Sequence, residues 1–157
     1  MEVIIVTGVP GTGKTTIAKE ISKEKNYLYI DVNKLIKKEK LYVGYDKKRA
    51  CQIVDVNKLC KRLDEVIEKH SKEKGIIIDS HLSHYLSNKK VDLCIVTKCS
   101  LKELKRRLKE RKYSGQKIRE NLDAEIFDTC RIEALEAGHK VKVVWTDRDY
   151  GLEKIYK

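Results

Sequence analysis

Proline occurs only once in the 157 residues, at Pro10, and no stretch is enriched in glycine, serine or proline. That excludes a flexible or proline-stiffened linker. With no internal repeat and no low-complexity tract, residues 1–157 read as one domain with a packed core. Long apolar runs are missing too. None approaches the ~20 residues that a helix needs to cross a bilayer, so no membrane partner is expected. The first residues read as a strand opening directly into a glycine-rich loop, not as a signal peptide. The expected compartment is the cytoplasm.

Cysteine is present in the wrong number and spacing for a scaffold. Cys51, Cys60, Cys94, Cys99 and Cys130 are five, with no C-x-x-C pair, which argues against a disulfide framework and a zinc site. Cys94, in an apolar run, reads as core. Acidic residues are in deficit: 24 Asp and Glu face 35 Lys and Arg, a net charge of +11. Such an excess suits a polyanionic partner. It equally suits a solvated lysine-rich surface of the heat-adapted kind, since 27 of the 35 basic residues are lysine. Apolar residues at 41% against 38% charged indicate a globular chain rather than a disordered one.

What the chain does have is a complete G-x-x-x-x-G-K-[ST] run, Gly8-Val9-Pro10-Gly11-Thr12-Gly13-Lys14-Thr15. A β-branched apolar segment precedes it, and a helical pattern with Ile17, Ala18 and Ile21 on one face follows. Glycines let the backbone curl so that several N–H groups aim at one anion. The new helix adds its positive end. Lys14 can then reach the β- and γ-phosphates, and the Thr15 hydroxyl can ligate Mg²⁺.

Five short apolar runs, at residues 3–7, 27–31, 75–79, 91–97 and 141–146, alternate with helical patterns. The alternation predicts an α/β P-loop fold with a five-stranded parallel sheet and helices on both faces. Helices are expected over 56–70, 101–112, 117–137 and 150–156. Ser100 and Glu103 would form a capping box for the second of these, and Gly138 would stop the third. Residues 37–50 and 110–119 are polar insertions, the latter bending at Ser114-Gly115. A parallel sheet places such insertions over its strands' carboxyl ends, which makes them a candidate substrate flap and lid.

Asp79 ends an apolar strand and could hold Mg²⁺ directly or through water. His81, two residues on, could orient water or a substrate hydroxyl. His84 lacks a third ligand for a metal pair and gains little. Arg111, Lys112, Lys117 and Arg119 flank the lid bend, where they either stabilise phosphoryl charge on closure or form a solvated helix end.

Gly8 to Thr16, Leu41-Tyr42-Val43-Gly44-Tyr45-Asp46, Ile78-Asp79-Ser80-His81, Arg111-Lys112-Tyr113 and Asn121-Leu122-Asp123-Ala124-Glu125-Ile126-Phe127 stand in one order. Together they resemble the adenylate kinase isoenzyme 6 family, over residues 3–137. The resemblance implies Mg²⁺-dependent phosphoryl transfer between ATP and AMP, together with ATP hydrolysis. It also implies a part in small ribosomal subunit maturation, with ribosomal protein uS11 and small-subunit rRNA as partners. It assigns Gly11, Gly13, Lys14, Thr15 and Thr16 to the ATP phosphates, Arg111 to the lid, and Asp79 and His81 to the Walker B-like segment. Residues 31–54 would bind the monophosphate, with Lys37, Tyr45 and Asp46 as AMP contacts. Residues 110–120 would be the lid, and Arg148 falls in the loop that meets adenine. Lys37 stands where the family often carries arginine, and a lysine cannot grip a phosphate in bidentate fashion. The expected protein is a monomeric nucleoside monophosphate kinase. The alternatives are an assembly ATPase with residual kinase activity, and a P-loop kinase for another small metabolite.

Overall fold

The computed structural model describes residues 1–48 and 51–156. β1 (Glu2–Thr7) runs through the glycine loop into α1 (Lys14–Lys25). Next come β2 (Leu28–Asp31), α2 (Val32–Glu39), the strands β3 (Tyr42–Asp46) and β4 (Cys51–Val54), and α3 (Val56–Lys69). β5 (Gly75–Asp79) leads through two short 3-10 turns to β6 (Leu93–Lys98) and α4 (Leu101–Glu110). The chain ends with α5 (Gly115–Ile126), α6 (Thr129–Glu136), β7 (Val141–Trp145) and α7 (Leu152–Ile155).

Five strands form one parallel sheet in the order β2-β5-β1-β6-β7. Alternation along each strand sorts the core onto two faces. Val3, Ile5, Ile76, Ile78, Cys94 and Val96 pack with residues of α2, α3 and α6, including Ile36, Leu59, Leu63 and Ala134. Ile4, Val6, Ile77 and Ile95 pack with Ile17, Ala18 and Ile21 of α1 and with Ile155 of α7. A third cluster joins Val9 of the glycine loop to Leu104 and Leu108 of α4, with Tyr113, Ile118 and Leu122 against it. Because every strand runs the same way, Thr7, Asp31, Asp79, Lys98 and Trp145 all end on one edge of the sheet.

Four expectations are corrected. First, the expected elements omit α2 and a hairpin: the polar stretch 37–50 holds the end of α2 and β3, which pairs antiparallel with β4. Asp31 starts α2 by accepting the Lys34 N–H, a cap that sequence periodicity does not register. Arg49 and Ala50 lie outside the described residues. Second, residues 117–137 do not form one helix. The break is at Asp128, whose backbone is left-handed at φ 57°. Lys98 pins it by pairing with both Glu125 and Asp128, a tertiary cause invisible to local pattern. Third, the capping box is half formed. Ser100 Oγ accepts the Glu103 N–H at 3.3 Å, but the Ser100 N–H goes to Asp147 and the Glu103 carboxylate is taken by Arg106 and Arg107. Fourth, the lid's sharp turn is at Lys112, φ 58°, because Ser114 N-caps α5 and Gly115 begins it.

Gly75 opens β5 beneath the Tyr27 ring. A Cβ there would sit 2.5 Å from Tyr27 Cε2, and Tyr27 is anchored by donating its hydroxyl to Glu2. Gly75→Ala is expected to destabilise by about 1–3 kcal/mol through overpacking. A lower urea midpoint at an unchanged m value is the expected reading; a midpoint equal to that of the parent protein contradicts it.

Candidate phosphate-binding site

The glycine loop crosses from β1 to α1 with little room. Gly13, the residue before α1, has φ 95°, and a Cβ there would press within 3.2 Å of three Thr146 side-chain atoms. At Gly8 a Cβ would meet Thr97 Oγ1 at 2.4 Å. The loop is further pinned by Thr12, whose N–H and hydroxyl both donate to the Val9 carbonyl, at 3.2 and 2.6 Å. Lys14 curls over this loop and donates to the carbonyls of Gly8 and Val9 at 3.0 and 3.2 Å. Enclosure disfavours its ammonium and brings the pKa down to about 8, against the opposing pull of Asp79. A polyphosphate beside it would favour the charged form.

Asp79 faces this loop because β5 lies beside β1 with Asp79 in register with Val6. Its Oδ2 accepts the hydroxyls of Thr15 and Tyr29, each at 2.7 Å. Burial and the Asp79 charge push the Tyr29 phenol upward, so it stays a donor. A hydroxyl and a carboxylate oxygen at the loop's mouth fit a hard cation such as Mg²⁺. No group of three His, Cys, Asp or Glu forms a metal cage among the described residues. A Mg²⁺ here would therefore fill its shell with phosphate oxygens and water.

Two hollows flank the loop. The larger, about 570 Å³, lies toward β5 and the β3–β4 hairpin. Its walls include Asn33, Gln52, His81, Tyr85, Lys117 and Glu133. The smaller, about 380 Å³, lies toward β7 and is walled by Thr16, Arg107, Thr146 and Tyr150. Gly11, Gly13, Thr16 and Arg111 border both. His81 stands at the rim of the larger hollow. The residue keeps an exposed side, but partial desolvation by the surrounding protein, with repulsion from Lys14, brings its pKa down to about 4, so the ring is neutral at pH 7.

Residues 4–128 match the family described as AAA domain. The chain is 41% identical over 139 residues to a Methanosarcina acetivorans protein named "Putative adenylate kinase", with 87% of this chain and 73% of that one covered. It is 34% identical over 134 residues to the "Adenylate kinase isoenzyme 6 homolog" of Caenorhabditis elegans, covering 85% and 72%. The chain belongs to the adenylate kinase isoenzyme 6 family. Its fold is similar to that of a deoxyadenosine kinase from M. mycoides, at a TM-score of 0.59 and 21% identity over 98% of this chain and 96% of that one.

As in the family resemblance, Gly11, Gly13, Lys14, Thr15, Thr16, Asp79, His81 and Arg111 surround one space. Four other expected contacts do not line it. Lys37 is exposed one turn after Asn33 on the same side of α2, and Asn33 is the α2 residue in the cavity wall. Tyr45 is 55% exposed on the hairpin, and Asp46 accepts the Lys48 N–H in the turn. Arg148 stacks on Trp145, 4.6 Å from the ring centroid, in a groove beside β7.

Two contributors were missed. Arg107 donates to the Gly11 carbonyl at 3.2 Å and to Thr146 Oγ1 at 3.1 Å. Its position four residues before Arg111 puts both on one helix face, a signal that was available. His84 is the second: it is buried rather than a solvated loop residue, and bridges Thr7 and Glu133. No local pattern announces a contact 49 residues away.

Arg107→Ala should raise the ATP Kd about tenfold, the order of one charge-assisted hydrogen bond, with kcat changing less. Isothermal titration beside steady-state kinetics checks this. Unchanged ATP affinity removes Arg107 from the donor side.

Proposed function

We propose that the protein is a Mg²⁺-dependent nucleoside monophosphate kinase that transfers the γ-phosphoryl group of ATP to AMP, and that it also hydrolyses ATP. One observation carries this reading: two hollows of nucleotide size meet at one phosphate loop, with Arg111 at the junction and Lys14 in the wall of the larger. The smaller hollow suits the ATP nucleoside, because the loop's N–H groups and the start of α1 stand between it and Asp79. The larger suits the acceptor. A single-substrate hydrolase has no need of the second space.

The chain's own groups divide the work. The loop N–H groups and Lys14 hold the phosphates and neutralise their repulsion. Thr15 and Asp79 would hold Mg²⁺, whose positive charge would offset that of the phosphates. Arg111, at the end of α4, meets equatorial oxygens as the α4–α5 segment closes, and that closure excludes water. Neutral His81 offers a hydrogen bond to the acceptor phosphate or to water without adding charge. In-line attack by an AMP phosphate oxygen on phosphorus needs no covalent enzyme intermediate.

A second reading gives the protein a role in small-subunit maturation, with uS11 and rRNA as partners. The exposed face of α4 supports it, since Lys102, Lys105, Arg106 and Lys109 lie together there. Arg106 contributes less than its charge suggests because it is paired with Glu103 and Glu110. Both readings place the protein in the cytoplasm as a monomer. No helix among the described residues is long and apolar enough to cross a membrane.

Lys14→Ala should reduce ADP formation by about two to four orders of magnitude, the scale of losing a preorganised charge-stabilising group. Its melting temperature should stay close to the parent's, because Lys14 bonds only to loop carbonyls. Turnover within threefold of the parent sinks the site. ATP turnover should rise on adding AMP. Turnover indifferent to AMP but raised by rRNA favours the second reading, and rRNA binding there should weaken steeply with salt as counterions are released.

A further inference from the structure

His84 is a nearly enclosed histidine that the proposed reaction leaves unused. It lies in the 3-10 turn Ser83–Tyr85 after β5, with its side chain only 2% exposed. Nδ1 is 2.7 Å from Thr7 Oγ1, and Nε2 is 2.6 Å from Glu133 Oε2 on α6. Thr7 is fully buried and is the last residue before the glycine loop. Its hydroxyl also lies 3.4 Å from the carbonyl of His81.

The chemistry of the partners sets the direction of each bond. An ionised carboxylate can only accept, so the proton of a neutral His84 is on Nε2 and points at Glu133. Nδ1 is then bare and accepts the Thr7 hydroxyl. Protonation of His84 puts a hydrogen on Nδ1 as well. Thr7 must then accept from Nδ1, and its own hydroxyl proton turns to the His81 carbonyl. One proton thus reverses a buried bond at the base of the phosphate loop and alters the hold on the His81 turn.

The titratable groups around this bond are Glu133 and Cys130 of α6, His139 from the turn after α6, and Tyr85 and His81 of the same segment. Tyr85 donates to the same Glu133 oxygen at 3.0 Å, and the phenol is pushed up to about 12 by burial and by Glu133. Cys130 neighbours Thr7, and burial raises its thiol to about 11. His139 Nε2 lies 2.9 Å from the His84 carbonyl. Burial outweighs the pull of Glu133 and keeps the His84 pKa below 6.5, so the neutral form prevails at pH 7.

We propose that His84 is a positioning residue of the phosphotransferase: neutral, Nε2-protonated and anchored by Glu133, it fixes the Thr7 hydroxyl and sets the His81 turn against the phosphate loop. The kinetic part rests on the phosphotransferase reading, and the tautomer does not.

The test begins with long-range ¹⁵N–¹H spectra of the full-length protein labelled at histidine. The signal lost in His84→Asn is expected to show the Nε2–H tautomer at pH 7.5. An Nδ1–H tautomer, or an imidazolium at that pH, overturns the inference whatever the kinetics show. In activity assays His84→Leu, which removes the Nδ1 acceptor and leaves the Thr7 hydroxyl the longer contact to the His81 carbonyl, should lower kcat about tenfold, the scale of one buried hydrogen bond. The KM for ATP should change less than about threefold, because His84 borders the acceptor hollow and not the ATP hollow. His84→Asn, whose Oδ1 can take the Thr7 proton, should recover most of that loss and remove the His84 step from the acid side of the pH–kcat profile. Glu133→Gln keeps an acceptor for Nε2–H but withdraws the charge, so it should move that step to lower pH. A His84→Leu protein with the parent's kcat and pH profile overturns the inference. If that variant does not fold, the tautomer and the His84→Asn and Glu133→Gln profiles decide. A parent protein without AMP-dependent turnover would defeat the phosphotransferase reading; the same profiles are then read on ATP hydrolysis.

Discussion

Three segments far apart in sequence converge on the Asp79 carboxylate. β5 carries it, Tyr29 of β2 and Thr15 of α1 each donate to its Oδ2 at 2.7 Å, and β1 lies beside it in parallel register. The carboxylate is nearly buried, and a buried charge without partners is costly. The two hydroxyls therefore act as structural ties. A cation held by Asp79 and Thr15 would compete with the hydrogen bond between them, so nucleotide binding and the local order of α1 are coupled. The glycine loop has no other course, because Gly8 and Gly13 are already packed against Thr97 and Thr146. Rigidity at the loop and exchangeable partners at Asp79 are complementary: in the proposed function the first would hold phosphates and the second would admit a metal.

The legible parts of this arrangement are those written in local pattern. Strand β1, the glycine run and the helix after it occupy adjacent residues, so their chemistry can be read without knowing the fold. Asp79 and His81 could be placed because a short apolar strand must lie in a parallel sheet, and a parallel sheet has one functional edge. The break at Asp128 could not be read. It contains neither proline nor glycine, and Lys98 imposes it from β6 by binding Glu125 and Asp128 together. Glu125 keeps its Oε2 without a partner, and burial raises its pKa while Lys98 opposes the rise. Such a site is set by tertiary packing, where propensity is a weak prior. The same holds for His84, whose partners lie in β1 and α6.

The acceptor side shows the limit of motif matching most clearly. The L-Y-x-G-Y-D segment carries the family resemblance, yet it is the cross-strand partners of Tyr45 and Asp46, Gln52 and Cys51, that line the cavity, and on α2 Asn33 lines it rather than Lys37 one turn on. The polar groups that α2 and the hairpin bring to the wall are Asn33 and Gln52, both uncharged. Both can adapt to several hydrogen-bonding patterns. The phosphate subsite is specified by charge and glycine geometry, which few sequences satisfy. A base subsite in the larger hollow, as proposed, would be specified more by shape and by neutral groups such as Asn33 and Gln52, which many sequences satisfy. Recurring sequence therefore marks the first far more strongly than the second.

The excess positive charge divides by residue type in a way that bears on its use. Arg62, Arg106, Arg107 and Arg131 are paired with carboxylates, as expected of a planar fork that fits two oxygens. Arg111 differs: it borders both hollows, where the oxygens it could fork would belong to a ligand. Most of the net +11 is carried by lysines, which are strongly hydrated point charges on flexible stems. Such charges grip no particular phosphate well. They do sum to a field that draws any polyanion inward, and that field fades with salt over a Debye length of about 8 Å under physiological conditions. For a free nucleotide the field needs only to deliver the ligand to the loop, where Lys14, Arg111 and the N–H groups take over at short range. A larger polyanion would span several lysines at once and lose affinity with salt far faster. Ionic strength thus separates the two uses of one surface, because binding at the loop depends mainly on enclosed charge.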